Sequence, residues 1–181
     1  MRGTTPMKTT VVFSPTMHHS GSNSLRYILG GEVEKLRDER IKIRKGMTLA
    51  AHFRWNHPES VPLFRKYAER YKTVIPLRHP ALIGVSHKKR NDDAHSIWVY
   101  EWMQMMQVPA FHFPIETMPF DELEAYLGRD VRRNSKPMKS IGDYPEKESL
   151  EAARDFLGDA WWTVEWCLNT ELGKKYYEAH Q

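Results

Sequence analysis

Residues 11–29, "VVFSPTMHHSGSNSLRYIL", pass from a β-branched stretch through a polar turn with one glycine into an apolar pattern of helical spacing. We predict a strand over about 9–14, a loop over 15–21 and a helix over 22–29, which the glycine pair 30–31 ends. Many proteins form a phosphate-binding turn from a strand, a loop and a helix in this order. The loop contains no lysine, and the P-loop pattern of nucleoside triphosphatases, G-x-x-x-x-G-K-S/T, is absent.

The rest of the chain alternates between strand-like and helix-like segments. The charged segment 32–45 is a candidate helix, and further strands are predicted over 47–53, 73–78 and 109–115. Helices are predicted to begin at Pro58 and to span 80–90, 94–107, 119–128, 146–158 and 160–177. Strands separated by helices favour an α/β fold of three layers, with helices on both faces of a mainly parallel sheet. Ligands of such folds bind beyond the carboxyl ends of the strands.

The composition is that of an ordinary globular protein. The 181 residues fit one domain (1–181), of which 40% are hydrophobic and 28% charged. No apolar run reaches the length of about 18 residues that spans a membrane, and "MRGTTPMKTT" at the start lacks the apolar stretch of a secretory signal. The single cysteine, Cys167, excludes an internal disulfide and fits a reducing compartment. We therefore expect a cytoplasmic protein with no membrane partner.

The charge distribution limits the classes of ligand. The net charge of +4 suits a binder of nucleotides or acidic small molecules. Basic clusters occur at 87–90 ("HKKR") and 129–133 ("RDVRR"), but nucleic acid would be a partner only if both shared one face. Runs of charge usually face solvent, so nucleic acid is not expected. No metal is expected either, because these histidines lack carboxylate or cysteine company in the sequence: His87, His95, His112 and His180.

The first candidate site is the turn 18–24, "HHSGSNS". Gly21 can adopt a positive φ, and the first amides of the following helix have no partner within the helix. The helix dipole adds partial positive charge at the same place. Side-chain donors for an anion are offered by Ser20, Ser22, Asn23 and Ser24. The alternative is a Ser/Asn-rich helix cap without a ligand, because these residue types are preferred there in any case.

The second candidate site joins Arg78 and Ser86. Arg78 ends the buried strand "TVIPLR", and Pro80 opens a helix in which Ser86 lies about two turns on. A guanidinium can bind a phosphate through two parallel hydrogen bonds, and a nearby hydroxyl can bind a third oxygen. The alternative is an arginine paired with a carboxylate, together with a serine bonded back to its own helix.

Together, "SPTMHHSGSNSL" and "LRHPALIGVS" resemble the sulfotransferases that use 3′-phosphoadenosine 5′-phosphosulfate (PAPS). In that family, a P-K-S-G-T-T-x-L loop binds the 5′-phosphosulfate, and an R-D/N-P motif with a serine eight residues after its arginine binds the 3′-phosphate. The first loop is matched by Ser20, Gly21, Ser22 and Leu25, with Asn23 where Thr or Ser is usual; the second motif is matched by Arg78, Pro80 and Ser86. The later segment 111–128, "FHFPIETMPFDELEAYLG", is also similar to a strand and acidic turn of the family.

The resemblance implies a P-loop-NTPase-like sulfotransferase architecture and transfer of a sulfuryl group from PAPS to a hydroxyl or amine of a small-molecule or glycan acceptor. The co-substrate would be PAPS and the product adenosine 3′,5′-bisphosphate (PAP), with no metal. The segment "AAHF" (50–53) resembles the strand end that carries the family's histidine base, which would be His52. His19 stands where the family has a lysine on the bridging oxygen, so it would act as the cation at the leaving group and bind the nucleotide with Ser20, Gly21, Ser22, Asn23, Ser24, Arg78 and Ser86.

The chain also departs from the family pattern. It is shorter than most members, and the glycine-rich loop that clamps the nucleotide has only a faint echo at 136–144. One alternative is a related protein that binds the phosphoadenosine nucleotide and transfers nothing. A second is a kinase-like enzyme using ATP, but the chain lacks the lysine and hydroxyl of the P-loop that such an enzyme uses.

Four side chains are predicted to pack in the core: Trp98, Trp102, Met105 and Met106. The side chains of Trp161, Trp162 and Trp166 are predicted to lie in the core or at the surface of a homodimer.

Overall fold

Five parallel strands form one sheet in the computed structural model, which describes residues 11–35, 43–54, 56–90, 97–133 and 147–177. The strands are β1 (Val12–Thr16), β2 (Val33–Lys35), β3 (Thr48–His52), β4 (Lys72–Leu77) and β5 (Phe111–Pro114), in the order β2-β3-β1-β4-β5. The helices are α1 (Ser22–Leu29), α2 (Ser60–Arg70), α3 (Pro80–Lys88), α4 (Ile97–Met106), α5 (Phe120–Leu127), α6 (Lys147–Leu157), α7 (Trp162–Leu168) and α8 (Glu171–Tyr177), with a 3-10 turn at Gly158–Trp161.

Helices cover both faces of the sheet. Successive strand residues point to opposite faces, so Val12 packs with α1 and α5, whereas Phe13 packs with the helices of the other face. The first apolar cluster contains Leu25, Ile28 and Leu29 of α1 with Leu123 and Leu127 of α5. The second contains apolar side chains of α2, α3, α4, α6, α7 and α8. The predicted α/β class with a parallel sheet between two helical layers is confirmed.

The strand order places a topological switch point at the carboxyl end of β1. Strand β1 lies between β3 and β4, and it pairs with both in parallel. The helix that follows β1 packs on one face, whereas α2 and α3, which follow β3 and β4, pack on the other. Ligands of open α/β sheets bind where neighbouring strands send their connections to opposite sides. Both candidate sites of the sequence belong to the carboxyl edge of the sheet.

The segment 32–45 differs from its prediction. Residues 33–35 form strand β2 instead of a helix and pair with β3 from Val33 opposite Thr48 to Lys35 opposite Ala50. Thr48 donates its N–H to the carbonyl of Glu32 at 2.9 Å. Strand pairing therefore overrides the charged, helix-like composition; residues 36–42 lie outside the described part of the chain.

The predicted carboxy-terminal helix over 160–177 is also wrong, because it is divided into the 3-10 turn, α7 and α8. The break lies at Thr170, whose hydroxyl donates to the carbonyl of Cys167 at 2.6 Å and accepts from the N–H of Gly173. A Cβ at residue 173 would lie 2.2 Å from the Cys167 carbonyl oxygen, so only glycine fits here. By contrast, helix α1 has the predicted bounds, Ser22–Leu29.

The tryptophans divide between core and surface. Trp98, Trp102 and Met105 of α4 are buried as predicted. Trp162 and Trp166 are 51% and 36% exposed, so the prediction of core packing is wrong for them, and a role at a homodimer surface stays a prediction. No helix in the described ranges is long and apolar enough to cross a membrane.

Candidate functional site

The loop between β1 and α1 has two residues with positive φ, His19 (60°) and Gly21 (87°). Gly21 directly precedes α1 and lies against Ile115, the residue after β5, since a Cβ added to Gly21 would be 2.9 Å from Cγ1 of Ile115. Such a backbone conformation is rare for residues with a side chain, although histidine adopts it more often than most. The loop is therefore held in one tight conformation between β1 and Ile115.

The amino end of α1 offers backbone donors rather than the predicted set of side chains. The first bond within the helix joins the N–H of Leu25 to the carbonyl of Gly21 at 3.1 Å, so the amides of Ser22, Asn23 and Ser24 precede the intrahelical ladder. Ser20 is fully buried and donates its hydroxyl proton to the carbonyl of Met17 at 2.8 Å. Its side chain therefore supports the loop, and it is not directed outward as a donor for an anion.

Arg78 lies against this loop, as the two-site hypothesis requires. Its Nη1 atom donates to the carbonyl oxygen of His19 at 3.2 Å. The junction after β4 and the junction after β1 therefore meet at the carboxyl edge of the sheet. The guanidinium is mostly buried, and burial lowers the pKa of Arg78, while the nearby Glu116 and Tyr177 raise it.

Glu116, just after β5, links Arg78 to the amino end of α3 and to α8. Its Oε1 accepts the N–H of His79 at 2.5 Å, and its Oε2 accepts the hydroxyl of Tyr177 at 3.4 Å. Burial raises the pKa of Glu116, and the His79 amide and the Arg78 charge act in the opposite direction. The predicted alternative for Arg78, a structural arginine beside a carboxylate, therefore has direct support alongside its contact with the loop.

His52 ends β3 directly opposite Thr16 of β1 in the parallel register. Thr16 gives its hydroxyl proton to the carbonyl of Ala51 at 3.1 Å, so its oxygen accepts Nδ1–H of His52 at 2.9 Å. The lone pair then resides on Nε2, which lies 3.4 Å from Nη2 of Arg26 on α1. Both ring nitrogens of the predicted base therefore face protein groups.

A second histidine, His18, is stacked on His52 with ring centroids 5.6 Å apart and an angle of 14° between the planes. Its Nδ1 lies 2.7 Å from Oε1 of Glu101, and its backbone N–H donates to Oε2 of the same carboxylate at 3.0 Å. Glu101 belongs to α4 and is fully buried, whereas the His18 side chain is 53% exposed. A buried carboxylate of the opposite helical layer thus fixes both the backbone and the ring of residue 18.

The ring of the predicted leaving-group cation, His19, lies between His18 and α3, with its centroid 6.4 Å from that of His18. Its ring meets that of buried His87 edge-on, with centroids 4.5 Å apart. The partly exposed Ser86 precedes His87 in the last turns of α3, so this part of the helix lies beside the loop. Four histidines, His52, His18, His19 and His87, form a row of neighbouring rings along the edge. In the described ranges, no group of three or more His, Cys, Asp or Glu residues is arranged to hold a metal.

Three charged residues of this edge were absent from the sequence prediction: Arg26, Glu101 and Glu116. Glu101 had a detectable signal, since it is the only charged residue of the mostly apolar helix Ile97–Met106. A lone carboxylate on a core helix needs a buried partner. Arg26 and Glu116 had no such signal, because charged residues near a helix end or a turn are ordinarily exposed.

A separate pocket of about 230 Å³ lies near the amino ends of β3 and β4, away from these residues, and is lined by Ile43, Leu63, Lys66, Tyr67, Arg70 and Tyr71.

No protein-family model and no curated protein matches the sequence. The function is therefore proposed from the geometry of the carboxyl edge.

Proposed function

We propose that the protein is a sulfotransferase that moves a sulfuryl group from PAPS to a hydroxyl or amine acceptor, with a P-loop-like architecture and no metal. The observation that supports this most is the contact of Arg78 Nη1 with the His19 carbonyl. It brings the two motifs that resemble the PAPS-binding motifs together at the carboxyl edge of the sheet. An adenine nucleotide with phosphates at both the 5′ and 3′ positions needs two such anion sites close together.

In this proposal, the 5′-phosphosulfate lies against the amides of Gly21, Ser22, Asn23 and Ser24. Amides at a helix start, together with the helix dipole, stabilise an anion of this size. The 3′-phosphate lies at Arg78 and Ser86, for which a guanidinium supplies a planar set of donors. Nη1 of Arg78 donates to the His19 carbonyl, and this contact holds the guanidinium beside the loop.

Sulfuryl transfer further needs a base for the acceptor proton and stabilisation of the departing phosphate. His52 is the predicted base, and the structure adds His18, stacked on it, as a second candidate. His19 is the predicted cation at the leaving group. The product would be PAP, and the acceptor a small molecule or glycan that enters at the exposed side of His18.

Binding without transfer is the second candidate function, and the orientation of His19 favours it. The residue that replaces the family lysine has its ring packed edge-on against buried His87. A ring held there stabilises the loop more directly than it stabilises a departing phosphate. In this case the protein binds the phosphoadenosine nucleotide but transfers no sulfuryl group.

A shared nucleic-acid face has less support. Lys88, in the first basic cluster, donates to the carbonyl of Phe156 on α6. Arg129, in the second cluster, donates to the carbonyl of Leu29 on α1 at 2.8 Å. Helices α1 and α6 belong to opposite layers, so the two clusters contact opposite sides of the sheet.

Thermal unfolding with PAP, and separately with ATP and Mg²⁺, tests the proposal. A ligand at a hundred times its dissociation constant stabilises the native state by about 2.7 kcal/mol, or about 5–10 °C for a chain of this size. We expect PAP to produce this shift and ATP with Mg²⁺ to produce little. A preference for ATP with Mg²⁺ would indicate the kinase-like alternative, and no shift with either would exclude nucleotide binding at this edge.

Arg78→Lys tests the second anion site without removing the charge beside Glu116. We expect PAP affinity to fall about tenfold or more, because an ammonium cannot form two parallel bonds to one phosphate. Arg65→Lys is the matched control, since Arg65 is exposed on α2 and its Nε donates to the carbonyl of Gln107 at 2.8 Å. Unchanged PAP affinity in Arg78→Lys would show that Arg78 does not bind a phosphate of PAP. Incubation of the wild-type protein with labelled PAPS and a panel of hydroxyl and amine acceptors then separates transfer from binding alone.

A further inference from the structure

From the pairing of His18 with Glu101, we infer that His18 is the general base of the reaction, Glu101 is its positioning residue, and His52 is the supporting ring behind it. The inference rests on the proposed function, which requires one base at this edge. It assigns that base to a histidine of the loop itself, in place of the histidine at the end of β3.

The two histidines differ in what their nitrogens face. In His52, Nδ1 is held by Thr16 and the Nε2 lone pair faces the guanidinium of Arg26. A lone pair beside a cation is poorly placed to accept a proton, because the imidazolium that forms meets a like charge. In His18, Nδ1 faces the carboxylate of Glu101 at 2.7 Å, so a proton accepted at Nε2 is compensated by the opposite charge.

The carboxylate also fixes the direction of the ring. Glu101 receives two bonds from residue 18, one from the ring and one from the backbone N–H. Because a carboxylate accepts only, Nδ1 carries the hydrogen and Nε2 is the nitrogen that exchanges a proton with a substrate. Stacking on His52 holds the ring from one face. A base positioned by a third group in this way is common to many enzymes that activate hydroxyl groups.

Exposure separates the two candidates further. The His18 side chain is 53% exposed, so an acceptor can reach it from solvent, whereas His52 is partly buried. The residue lies three positions before Gly21 and the proposed phosphosulfate cradle. The proposed proton acceptor and the proposed anion site therefore belong to the same short loop.

Nε2 of His18 takes the proton of the acceptor hydroxyl or amine while the acceptor oxygen or nitrogen forms a bond to sulfur. The bond between sulfur and the bridging oxygen breaks, and its electron pair leaves with PAP. The imidazolium of His18, paired with Glu101, then returns the proton to solvent.

The test compares His18→Gln, His52→Gln and Glu101→Gln, with His57→Gln as the matched control. His57 also places Nδ1 next to a carboxylate, 2.8 Å from Glu59, but this pair is exposed. Release of PAP from labelled PAPS is measured with water and with a panel of hydroxyl and amine acceptors, and PAP affinity is measured by thermal shift. We expect His18→Gln to lose about 100-fold or more in rate with PAP affinity within about twofold. His57→Gln should match the wild type.

The other two variants assign the roles. We expect His52→Gln to lose less than about tenfold, and Glu101→Gln to lower kcat while KM for PAPS stays within about threefold. Long-range ¹H–¹⁵N spectra should show hydrogen on Nδ1 of His18 in the wild type and a mixture of both ring forms in Glu101→Gln. A merely structural Glu101 would leave the ring form of His18 unchanged.

Each contrary result has its own meaning. If His52→Gln loses the reaction and His18→Gln keeps it, the inference is overturned and the proposed function stands. A wild-type protein that binds PAP but releases none from PAPS with any acceptor also overturns the inference and leaves the binding function. A protein that PAP does not stabilise fails the proposed function itself.

Discussion

Thr16 and His52 are direct partners across the parallel strands β1 and β3, and their side chains are joined by a hydrogen bond of 2.9 Å at Nδ1. The backbone continues the same connection, because Phe53 donates its N–H to the carbonyl of Thr16 at 2.9 Å. One threonine hydroxyl, which also donates to Ala51, thus sets the ring form of a histidine at the end of the neighbouring strand.

Thr16→Val removes that hydroxyl without changing the shape of the side chain much. We expect the native state to lose about 1–3 kcal/mol, because the carbonyl of Ala51 and Nδ1 of His52 each lose a partner in a buried place. Long-range ¹H–¹⁵N spectra in mildly alkaline buffer should show hydrogen on Nδ1 of His52 in the wild type and a mixture in Thr16→Val. Thr16→Ser keeps the hydroxyl and is the control. A wild-type ring with hydrogen on Nε2 would contradict the assignment.

Gly21→Ala tests how tightly the loop is held. The positive φ of 87° and the 2.9 Å approach to Ile115 act together at this residue. Gly128 is the matched control, since it also has a positive φ, 68°, but a Cβ there meets nothing within 4 Å. We expect Gly128→Ala to cost about 1 kcal/mol and Gly21→Ala about 1–2 kcal/mol more, measured by chemical unfolding. Equal losses would show that Ile115 does not restrain the loop.

The central β-α unit could be predicted from the sequence because its signals are local. Gly21 precedes an apolar pattern of helical spacing and the glycine pair at 30–31 ends it, and α1 begins and ends where the sequence predicts. Arg78 could be placed at the same edge because parallel strands bring their carboxyl ends together. Strand β2 could not be predicted, since only its pairing with β3 distinguishes Val33–Lys35 from a charged helix.

The site was predictable as a place but not as a set of contacts. Ser20 was predicted to face an anion and instead bonds back to Met17. Glu101 reaches His18 across 83 positions of the chain, and such a pairing is decided by how α4 packs on the sheet rather than by any local pattern. Buried polar groups form hydrogen bonds with partners that the tertiary fold brings near, and these partners cannot be identified from the local sequence.

His112 on β5 should make the fold sensitive to acid. Burial, together with the charge of Lys175, lowers the pKa of His112 to about 4, and its Nε2 has no hydrogen-bond partner in the described part of the structure. The lowered pKa means that the native state keeps the neutral ring. Its contribution is therefore complete above the unfolded pKa of about 6.5 and is lost as pH falls toward 4.

We expect His112 to contribute at most about 3 kcal/mol to the loss of stability between pH values near 7 and 4. Chemical unfolding at a series of pH values should show a flatter profile for His112→Leu than for the wild type. An NMR titration of His112 checks the cause directly. A titration midpoint near 6.5 in the folded protein would contradict the predicted effect.

Glu116→Gln should reveal a pH dependence of the opposite sign. Burial raises the pKa of Glu116, so this carboxylate takes up a proton more readily in the native state than in the unfolded chain. The stability that this group contributes is present below its unfolded pKa, about 4.3, and is lost as pH rises through the folded pKa. Glutamine resembles the protonated acid, since its oxygen can accept the His79 amide and its NH2 can donate to the Tyr177 hydroxyl. We therefore expect Glu116→Gln to gain stability relative to the wild type as pH rises from about 4 to 7.

Glu59→Gln provides a control with the reverse expectation. A backbone hydrogen bond and the side chain of His57 lower the pKa of Glu59, so the stability contributed by this carboxylate is lost as pH falls.

Glu116→Gln also removes a negative charge beside Arg78. If Arg78 binds the 3′-phosphate, PAP affinity at neutral pH should rise, by up to about tenfold for a charge at this range. If the free energy of unfolding depends on pH in the same way in Glu116→Gln and the wild type, burial does not raise the pKa of Glu116. Unchanged PAP affinity would contradict binding of the 3′-phosphate by Arg78.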